Sequence, residues 1–309
     1  MNAIALSGAT SMIGVALVKQ CILNSVKVYA LVRPGSPWIN RLPASDLITV
    51  LERDLDSLAD SELPDAVTSK VDVFYHVGWR DTDKIGRNSC DKQLLNIQYT
   101  LDAVRLAKKL GCKKFIGTGS QAEYGHASIP LNGTVPTNPE IAYGIAKYAA
   151  GKLAQIECEK LGLEYNWVRI LSVYGINDSS DTLIKKFITN CKNDQPMGLS
   201  PCTHIWDYLF EDDAGRALFA IGKKGIDGKV YCLGSGTGKP LMEYLETVKK
   251  MINPDYVPRY GDVPYSEKSV RYLCADITEL TNDTGWMPAV WFEEGIKKIL
   301  DDKYKGTYV

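Results

Sequence analysis

Three side chains could together move a proton and orient a carbonyl group. Tyr143 and Lys147 lie in the segment Tyr-Gly-Ile-Ala-Lys, and their spacing puts both on one face of a helix. An ammonium group favours the ionised form of a neighbouring phenol, so we expect Lys147 to lower the pKa of Tyr143. Tyr143 could then pass a proton to or from a substrate oxygen while a hydride moves at the same carbon. Ser120 ends an apolar run and could hydrogen-bond the reacting oxygen.

A glycine-rich turn precedes the first predicted helix. Residues 7–14 read Ser-Gly-Ala-Thr-Ser-Met-Ile-Gly, and small residues there let the backbone approach a pyrophosphate at a helix N-terminus. Ser11 stands where the full motif has a glycine, so a turn that only joins a strand to a helix is the alternative.

The end of the second predicted strand bears on the choice of dinucleotide. Val32 stands where an NAD-preferring site usually carries an acid, and Arg33 follows it. A cation at this point favours the 2′-phosphate of NADP(H), and a solvated arginine is the alternative.

The elements that must position these groups are predicted from an alternation of β-rich runs and amphipathic stretches along the chain. Six strands are predicted from residues 2, 26, 47, 71, 113 and 163, with helices over 12–24, 88–110 and 140–161. This order predicts an α/β fold of the Rossmann type, a doubly wound parallel sheet with helices on both faces.

After residue 175 the predicted strands become shorter and alternate with helices, which predicts a smaller C-terminal α/β lobe. Helices are expected over 181–193, 211–222, 240–252, 275–283 and 291–300, with a strand near 230. We expect residues 1–175 to bind a dinucleotide, with 205–235 returning to that domain, and residues 176–309 to bind substrate.

Composition excludes several classes of protein. The 309 residues contain 36 Lys and Arg against 37 Asp and Glu, which argues against a nucleic-acid partner bound through a broad basic surface. No apolar run approaches the roughly 18 residues of a membrane span, and no secretory signal precedes the first strand. Eight cysteines without a C-x-x-C pair, beside three histidines, predict reduced thiols in a cytoplasmic protein and no metal site.

Taken together, the motifs resemble those of extended short-chain dehydrogenases/reductases, the family of nucleotide-sugar epimerases, dehydratases and reductases. The glycine turn at 7–14, Arg-Asp-Leu at 53–55, His-Val-Gly-Trp at 76–79 and the Tyr-Gly-Ile-Ala-Lys helix occur in the family's order. The segments 205–218 and 284–288 resemble its C-terminal signatures, so the resemblance covers nearly the whole chain.

The resemblance implies a set of site residues. The catalytic group would be Ser120, Tyr143 and Lys147. Residues that would contact the cofactor, besides Tyr143 and Lys147, are Gly8, Thr10, Ser11, Met12, Ile13, Arg33, Asp54, Leu55, Val77, Gly78, Trp79, Asn96, Thr118, Ile170 and Ser172. Residues that would contact a nucleoside-diphosphate sugar are Ser120, Gln121, Tyr143, Ser172, Trp206 and Arg271, with Arg271 on the pyrophosphate. The resemblance also implies a homodimer through the helices near 88–110 and 140–161.

Departures from the family pattern narrow the expected reaction. Gln121 and Ala122 stand where dehydratases carry an acidic pair, and Glu123 comes one position too late, which disfavours dehydration. Gly119 replaces a frequent serine, Ser172 an asparagine frequent in epimerases, and Trp206 an arginine.

The resulting expectation is an NADP(H)-dependent oxidoreductase. It would reduce the keto group of a nucleotide-linked 4-keto-6-deoxy sugar, with hydride from NADPH and a proton from Tyr143. An NAD-dependent nucleotide-sugar 4-epimerase that uses the same three residues is the alternative. A non-catalytic dinucleotide-sensing regulator is a third hypothesis.

Overall fold

A computed structural model describes residues 1–59, 67–266 and 269–301. The strands in chain order are β1 (Ala3–Ser7), β2 (Lys27–Val32), β3 (Ile48–Glu52), β4 (Val73–His76), β5 (Lys114–Ser120), β6 (Glu164–Ile170), β7 (Ser172–Tyr174), β8 (Gly198–Leu199), β9 (Ile205–Trp206), β10 (Tyr208–Phe210), β11 (Val230–Leu233), β12 (Lys239–Pro240) and β13 (Arg259–Tyr260). The helices are α1 (Met12–Leu23), α2 (Cys90–Lys109), α3 (Ala142–Leu161), α4 (Leu183–Lys192), α5 (Glu211–Lys224), α6 (Leu241–Ile252), α7 (Thr278–Thr284) and α8 (Phe292–Asp301).

Seven parallel strands form the central sheet in the order β11-β6-β5-β4-β1-β2-β3. Alternate residues of β1 face opposite sides: Ile4 and Leu6 join one apolar core, and Ala3 and Ala5 join the other. Every residue of β1 is buried, as expected for a strand covered on both faces. The predicted α/β fold with a parallel Rossmann-type sheet is confirmed.

Helices cover the two faces of the sheet in pairs. Leu17 of α1 and Leu218 of α5 pack on the Ile4 side, while Val104 of α2 and Ala154 of α3 pack on the other side. Along the chain, α1 follows β1 and α3 follows β5. Their N-terminal turns therefore lie near the carboxyl edge of the sheet, where open α/β folds bind ligands.

The C-terminal lobe is built from short strand pairs around an aromatic core. β7 pairs with β10, β9 with β12, and β8 with β13. Helices α4, α6 and α8 enclose them, and Phe187, Leu245, Phe292 and Ile296 are among the buried core residues.

The predicted strand over 163–175 differs from the structure at Leu171. β6 ends at Ile170 within the main sheet, and β7 leaves it to pair with β10 of the smaller lobe. The sheet instead gains β11, which pairs with β6 and returns from the C-terminal half of the chain. The break brings Ile170 and Leu171 to the carboxyl edge, where they help to line a cavity.

Two further observations bear on the protein's surroundings. Of the eight cysteines, all of which lie in the described ranges, seven are buried, Cys90 is exposed, and none is in a disulfide. Within those ranges, each helix is too short or too polar to cross a bilayer.

Candidate active site

A cavity of about 540 Å³ opens at the carboxyl edge of the central sheet. The expected site residues on its wall are Gly8, Thr10, Ser11, Met12, Ile13, Arg33, Asp54, Leu55, Val77, Gly78, Trp79, Thr118, Ser120, Tyr143, Lys147 and Ile170. One cavity therefore connects the glycine turn, the end of β2 and the three proposed catalytic side chains.

The glycine turn lies against the segment that follows β4. Gly8 has a φ of +74°, and a Cβ atom there would come within 2.6 Å of the Gly78 nitrogen. A Cβ on Gly14 would collide with the Gly8 carbonyl. Both positions therefore require glycine, and the backbone of Gly8 lies on the cavity wall, where a pyrophosphate could approach.

Ser11 performs a structural task that explains its presence in the glycine motif. Its hydroxyl donates to the Gly8 carbonyl at 2.7 Å and accepts from the Gly14 N–H at 3.1 Å, which caps the N-terminus of α1. The departure from the glycine pattern is thus compatible with the same turn.

The three proposed catalytic residues converge from β5 and α3. Ser120 ends β5 and is buried, while Tyr143 and Lys147 occupy the first two turns of α3. Lys147 is buried, its Nζ atom donates to the Thr118 carbonyl at 2.7 Å, and the same atom lies 3.7 Å from the Trp79 ring centre. The Ser120 hydroxyl accepts from the Ala122 N–H at 3.2 Å.

Burial dominates the pKa values of this group. It lowers the pKa of Lys147 from 10.5 to about 7, against the opposing charge of Glu123. It also raises the pKa of Tyr143, although a hydrogen bond with Ser120 and the charge of Arg87 oppose the shift. The expectation that Lys147 lowers the pKa of Tyr143 therefore does not hold in this structure. The Lys147 amine lies 5.9 Å from the Tyr143 ring centre and is directed to Thr118 instead.

Arginines line the end of the cavity beside β2 and β3. Arg33, Arg41 and Arg53 all lie on its wall together with Ser36 and Trp38. The Arg41 guanidinium stacks on Trp38, 4.0 Å from its ring centre. The Arg53 Nε atom is buried without a hydrogen-bond acceptor among the described residues. A buried donor without an acceptor lowers the stability of the fold unless a ligand or water accepts its hydrogen bond.

Asn96 is one of five expected site residues that the structure does not bring to the cavity wall; the others are Gln121, Ser172, Trp206 and Arg271. Asn96 is buried, and its side-chain oxygen accepts from the Arg80 N–H at 2.9 Å, so it braces the segment after β4.

Gln121 begins the turn after β5, and the remaining expected substrate contacts involve the segments 172–206 and 265–271. The Trp206 indole donates to the Ser172 hydroxyl at 2.7 Å. The Arg271 guanidinium carbon lies 3.6 Å from the Tyr265 ring centre.

Sequence reasoning missed several residues at the site. Arg53 and Trp38 line the cavity, and the Arg87 guanidinium carbon lies 4.5 Å from the Tyr143 ring centre. Arg53 could have been found, since it directly precedes the Asp-Leu pair already assigned to the cofactor. The approach of Arg87 to Tyr143 joins distant segments and has no local sequence signal.

A family model described as "NAD dependent epimerase/dehydratase family" matches residues 4–234. Over 97% of both chains, the sequence is 26% identical to CDP-abequose synthase of Salmonella muenchen. It is 24% identical to a putative UDP-glucose 4-epimerase of Methanocaldococcus jannaschii, covering 96% of this chain and 97% of that protein. It is also 24% identical to dTDP-4-dehydro-6-deoxyglucose reductase of Escherichia coli, covering 62% of this chain and 61% of the reductase.

Solved structures show the same fold at low sequence identity. UDP-glucose 4-epimerase of Thermotoga maritima, determined with UDP-glucose, superposes with a TM-score of 0.84 at 22% identity and 97% coverage of both chains. UDP-glucuronic acid 4-epimerase of Bacillus cereus, in complex with NAD, superposes with a TM-score of 0.81 at 19% identity, also covering 97% of each chain.

Proposed function

The chain belongs to the NAD dependent epimerase/dehydratase family, and from that premise we propose that it is an NADP(H)-dependent reductase of a nucleotide-linked keto sugar. The substrate class that we propose is a nucleoside-diphosphate 4-keto-6-deoxy sugar. The observation that carries the proposal is a single cavity with Ser120 and Tyr143 in one part and three arginines in another.

The cavity fits an NADP-type dinucleotide. The glycine turn can lie against Gly78 because Gly8 has no side chain, and a pyrophosphate could approach the backbone of this turn. The buried Arg53 Nε atom and the neighbouring Arg33 suit the 2′-phosphate, which accepts strong hydrogen bonds from guanidinium groups. When bound, the dinucleotide supplies the hydride.

The chain's own residues would orient the ketone and supply the proton. The Ser120 oxygen already accepts the Ala122 N–H, so its own proton can be donated to the ketone oxygen. A Tyr143 phenol with a raised pKa keeps its proton near neutral pH, which suits donation to the new alkoxide. One Lys147 N–H is used by Thr118, and the remaining N–H groups can bind the ribose hydroxyls of the cofactor.

We assign nucleotide binding to the smaller lobe, within residues 176–309. The exposed Arg271 guanidinium lies over the Tyr265 ring, and the Trp206 indole donates to the Ser172 hydroxyl. These contacts support a diphosphate at Arg271 and a sugar between the lobes and Tyr143.

A homodimer is the assembly that we propose. Leu94 and Leu95 of α2 are 64% and 52% exposed, and Ile145 and Ile156 of α3 are 52% and 49% exposed. Exposed apolar side chains on two adjacent long helices favour coverage by the same helices of a second copy. Eight cysteines outside disulfides support a reducing compartment, and we propose the cytoplasm.

The second candidate is an NAD-dependent 4-epimerase, which the named epimerase relative supports. The deciding experiment incubates the purified protein with CDP-, dTDP-, UDP- and GDP-linked 4-keto-6-deoxy sugars and follows the absorbance of NADPH or NADH. We expect oxidation of NADPH with at least one sugar, and faster than oxidation of NADH. Stoichiometric co-purified NAD, no oxidation with any keto sugar, and inversion of a nucleotide hexose at C4 would instead establish the epimerase.

A further inference from the structure

We propose that Glu123 is a positioning residue whose carboxylate fixes the main chain of Ser120 and so directs the Ser120 hydroxyl toward the substrate oxygen. The inference rests on the proposed role of Ser120 in the reaction and adds a residue that does not touch substrate. Glu123 follows β5 in a single turn of 3₁₀-helix over Gln121–Glu123.

The Glu123 carboxylate is surrounded by hydrogen-bond donors. The side chain is only 1% exposed. Its Oε1 atom accepts from the Ser120 N–H at 2.9 Å and from the Trp167 indole at 3.0 Å, and Oε2 accepts from the Arg169 Nε–H at 2.7 Å. Because all three partners donate, an acceptor-only carboxylate satisfies them, whereas the NH₂ group of a glutamine would face a donor.

Two reciprocal bonds close the turn that carries Ser120. Glu123 accepts from the Ser120 N–H, and the Ser120 hydroxyl accepts from the Ala122 N–H at 3.2 Å. The hydroxyl oxygen is thereby held in one orientation, and its proton is left for an acceptor in the cavity. Loss of the first bond would release the main chain on which the second depends.

Gly119 makes this arrangement possible. A Cβ atom there would collide with the Glu123 carboxylate and with the Trp167 indole nitrogen. The absence of a side chain at Gly119, where the family frequently has a serine, therefore leaves the space that the buried Glu123 carboxylate occupies. Gly119, Glu123 and Trp167 form one packed unit beneath Ser120.

Glu123 also acts on the proton-carrying groups through its charge. It raises the pKa of Lys147 against the effect of burial, and it adds to the raised pKa of Tyr143. Arg169 offsets part of this charge through its ion pair at 2.7 Å, and Arg87 opposes it at Tyr143. Replacement of Glu123 by a neutral residue therefore moves both pKa values downward.

Two variants distinguish the effect of the Glu123 side-chain length from the effect of its charge. Glu123→Gln keeps the size and removes the charge, while Glu123→Asp keeps the charge and withdraws the carboxylate by one methylene. Glu159→Gln is the matched control, because Glu159 is an exposed glutamate near the C-terminal end of α3. The measurements are kcat and KM over pH for NADPH-dependent reduction, and amide hydrogen exchange over residues 118–124.

We expect Glu123→Gln to lower kcat by about 100-fold, the scale of a small misplacement of a reacting group, with little change in the KM for NADPH. The basic limb of its kcat profile should move to lower pH, which a purely structural lesion would not cause. Glu123→Asp should lower kcat without moving that limb. Both variants should accelerate exchange over 118–124, and Glu159→Gln should match the wild type throughout.

The proposal is overturned if Glu123→Gln retains kcat within about threefold of wild type with an unmoved pH profile, or if exchange over 118–124 is unchanged. If Glu123→Gln does not fold, the same thresholds for kcat and exchange apply to Glu123→Asp. If the wild type itself oxidises no NADPH with any keto sugar, the proposed reaction fails, while the exchange measurement still decides whether Glu123 fixes Ser120.

Discussion

Replacement of Arg53 by serine should remove much of the discrimination between NADPH and NADH. Arg53 is partly buried on the cavity wall, and its Nε atom has no acceptor among the described residues. An acceptor supplied by the 2′-phosphate would satisfy that donor, whereas the 2′-hydroxyl of NADH offers no charge to pair with the guanidinium. Arg53→Ser should therefore lower the affinity for NADPH and leave the affinity for NADH nearly unchanged.

The size of the effect follows from the nature of the bond. A hydrogen bond to a charged group contributes about 1.5–3 kcal/mol, and about 1.4 kcal/mol corresponds to a tenfold change in affinity. Arg53→Ser should thus weaken NADPH binding by about 10- to 150-fold. Arg33 is exposed, so water screens its charge and Arg33→Ser should cause a smaller loss.

Equilibrium binding measures the affinity for each cofactor without a sugar substrate. The fluorescence of NADPH and of NADH is titrated with wild type, Arg53→Ser and Arg33→Ser at one fixed ionic strength. Arg259→Ser serves as the control, because Arg259 is an exposed arginine of the smaller lobe that pairs with Asp262. Equal affinity of the wild type for the two cofactors would refute the reasoning, as would an equal loss of both in Arg53→Ser.

Three further predictions concern the proton donor, the buried lysine and the assembly. Tyr143→Phe should lower kcat by about 10²- to 10⁴-fold while NADPH binding is retained. Undiminished turnover would refute the role of Tyr143 as proton donor, whereas NADPH binding without turnover in the wild type would favour the sensor hypothesis. The unfolded chain holds the Lys147 proton up to about pH 10.5 and the native chain releases it near pH 7, so the unfolded state binds more protons between these values. The free energy of unfolding of the cofactor-free protein should accordingly rise with pH across this window more in wild type than in Lys147→Met, and parallel urea-unfolding profiles at pH 6.5, 8 and 9.5 would contradict it. Leu153 of α3 is 42% exposed, and Leu94→Lys together with Leu153→Lys should convert a dimer to monomers in analytical ultracentrifugation. A wild type that sediments as a monomer at micromolar concentration would exclude the proposed interface.

Local patterns in the sequence were sufficient to predict the main sheet and helix α3. β1, β2 and β5 are apolar runs long enough to be recognised alone, and the Tyr143–Lys147 spacing is a property of one helix. The break at Leu171 is different, because the run from β6 into β7 is continuous in sequence and is divided only by the competing partner β10.

Tertiary contacts fixed the features that the sequence did not reveal. Glu123 meets Trp167 and Arg169, which are 44 and 46 residues away in the chain. The direction of the Tyr143 pKa shift depends on how deeply the fold buries the phenol, whereas helical spacing reports only that a lysine is near. Two-residue strands such as β8 and β12 exist only through their pairing, so they leave no periodic pattern.

The late return of the chain to the sheet has a consequence for the order of folding. Helix α5 crosses helix α1 so closely that a Cβ on Gly215 would lie 2.5 Å from the Ala16 carbonyl group, and β11 supplies the strand beside β6. During synthesis, a chain that ends at residue 175 contains the glycine turn but still exposes one face of α1 and one edge of β6. The central sheet therefore cannot be completed until Leu233 has been made, after β7 to β10 and α4 of the smaller lobe.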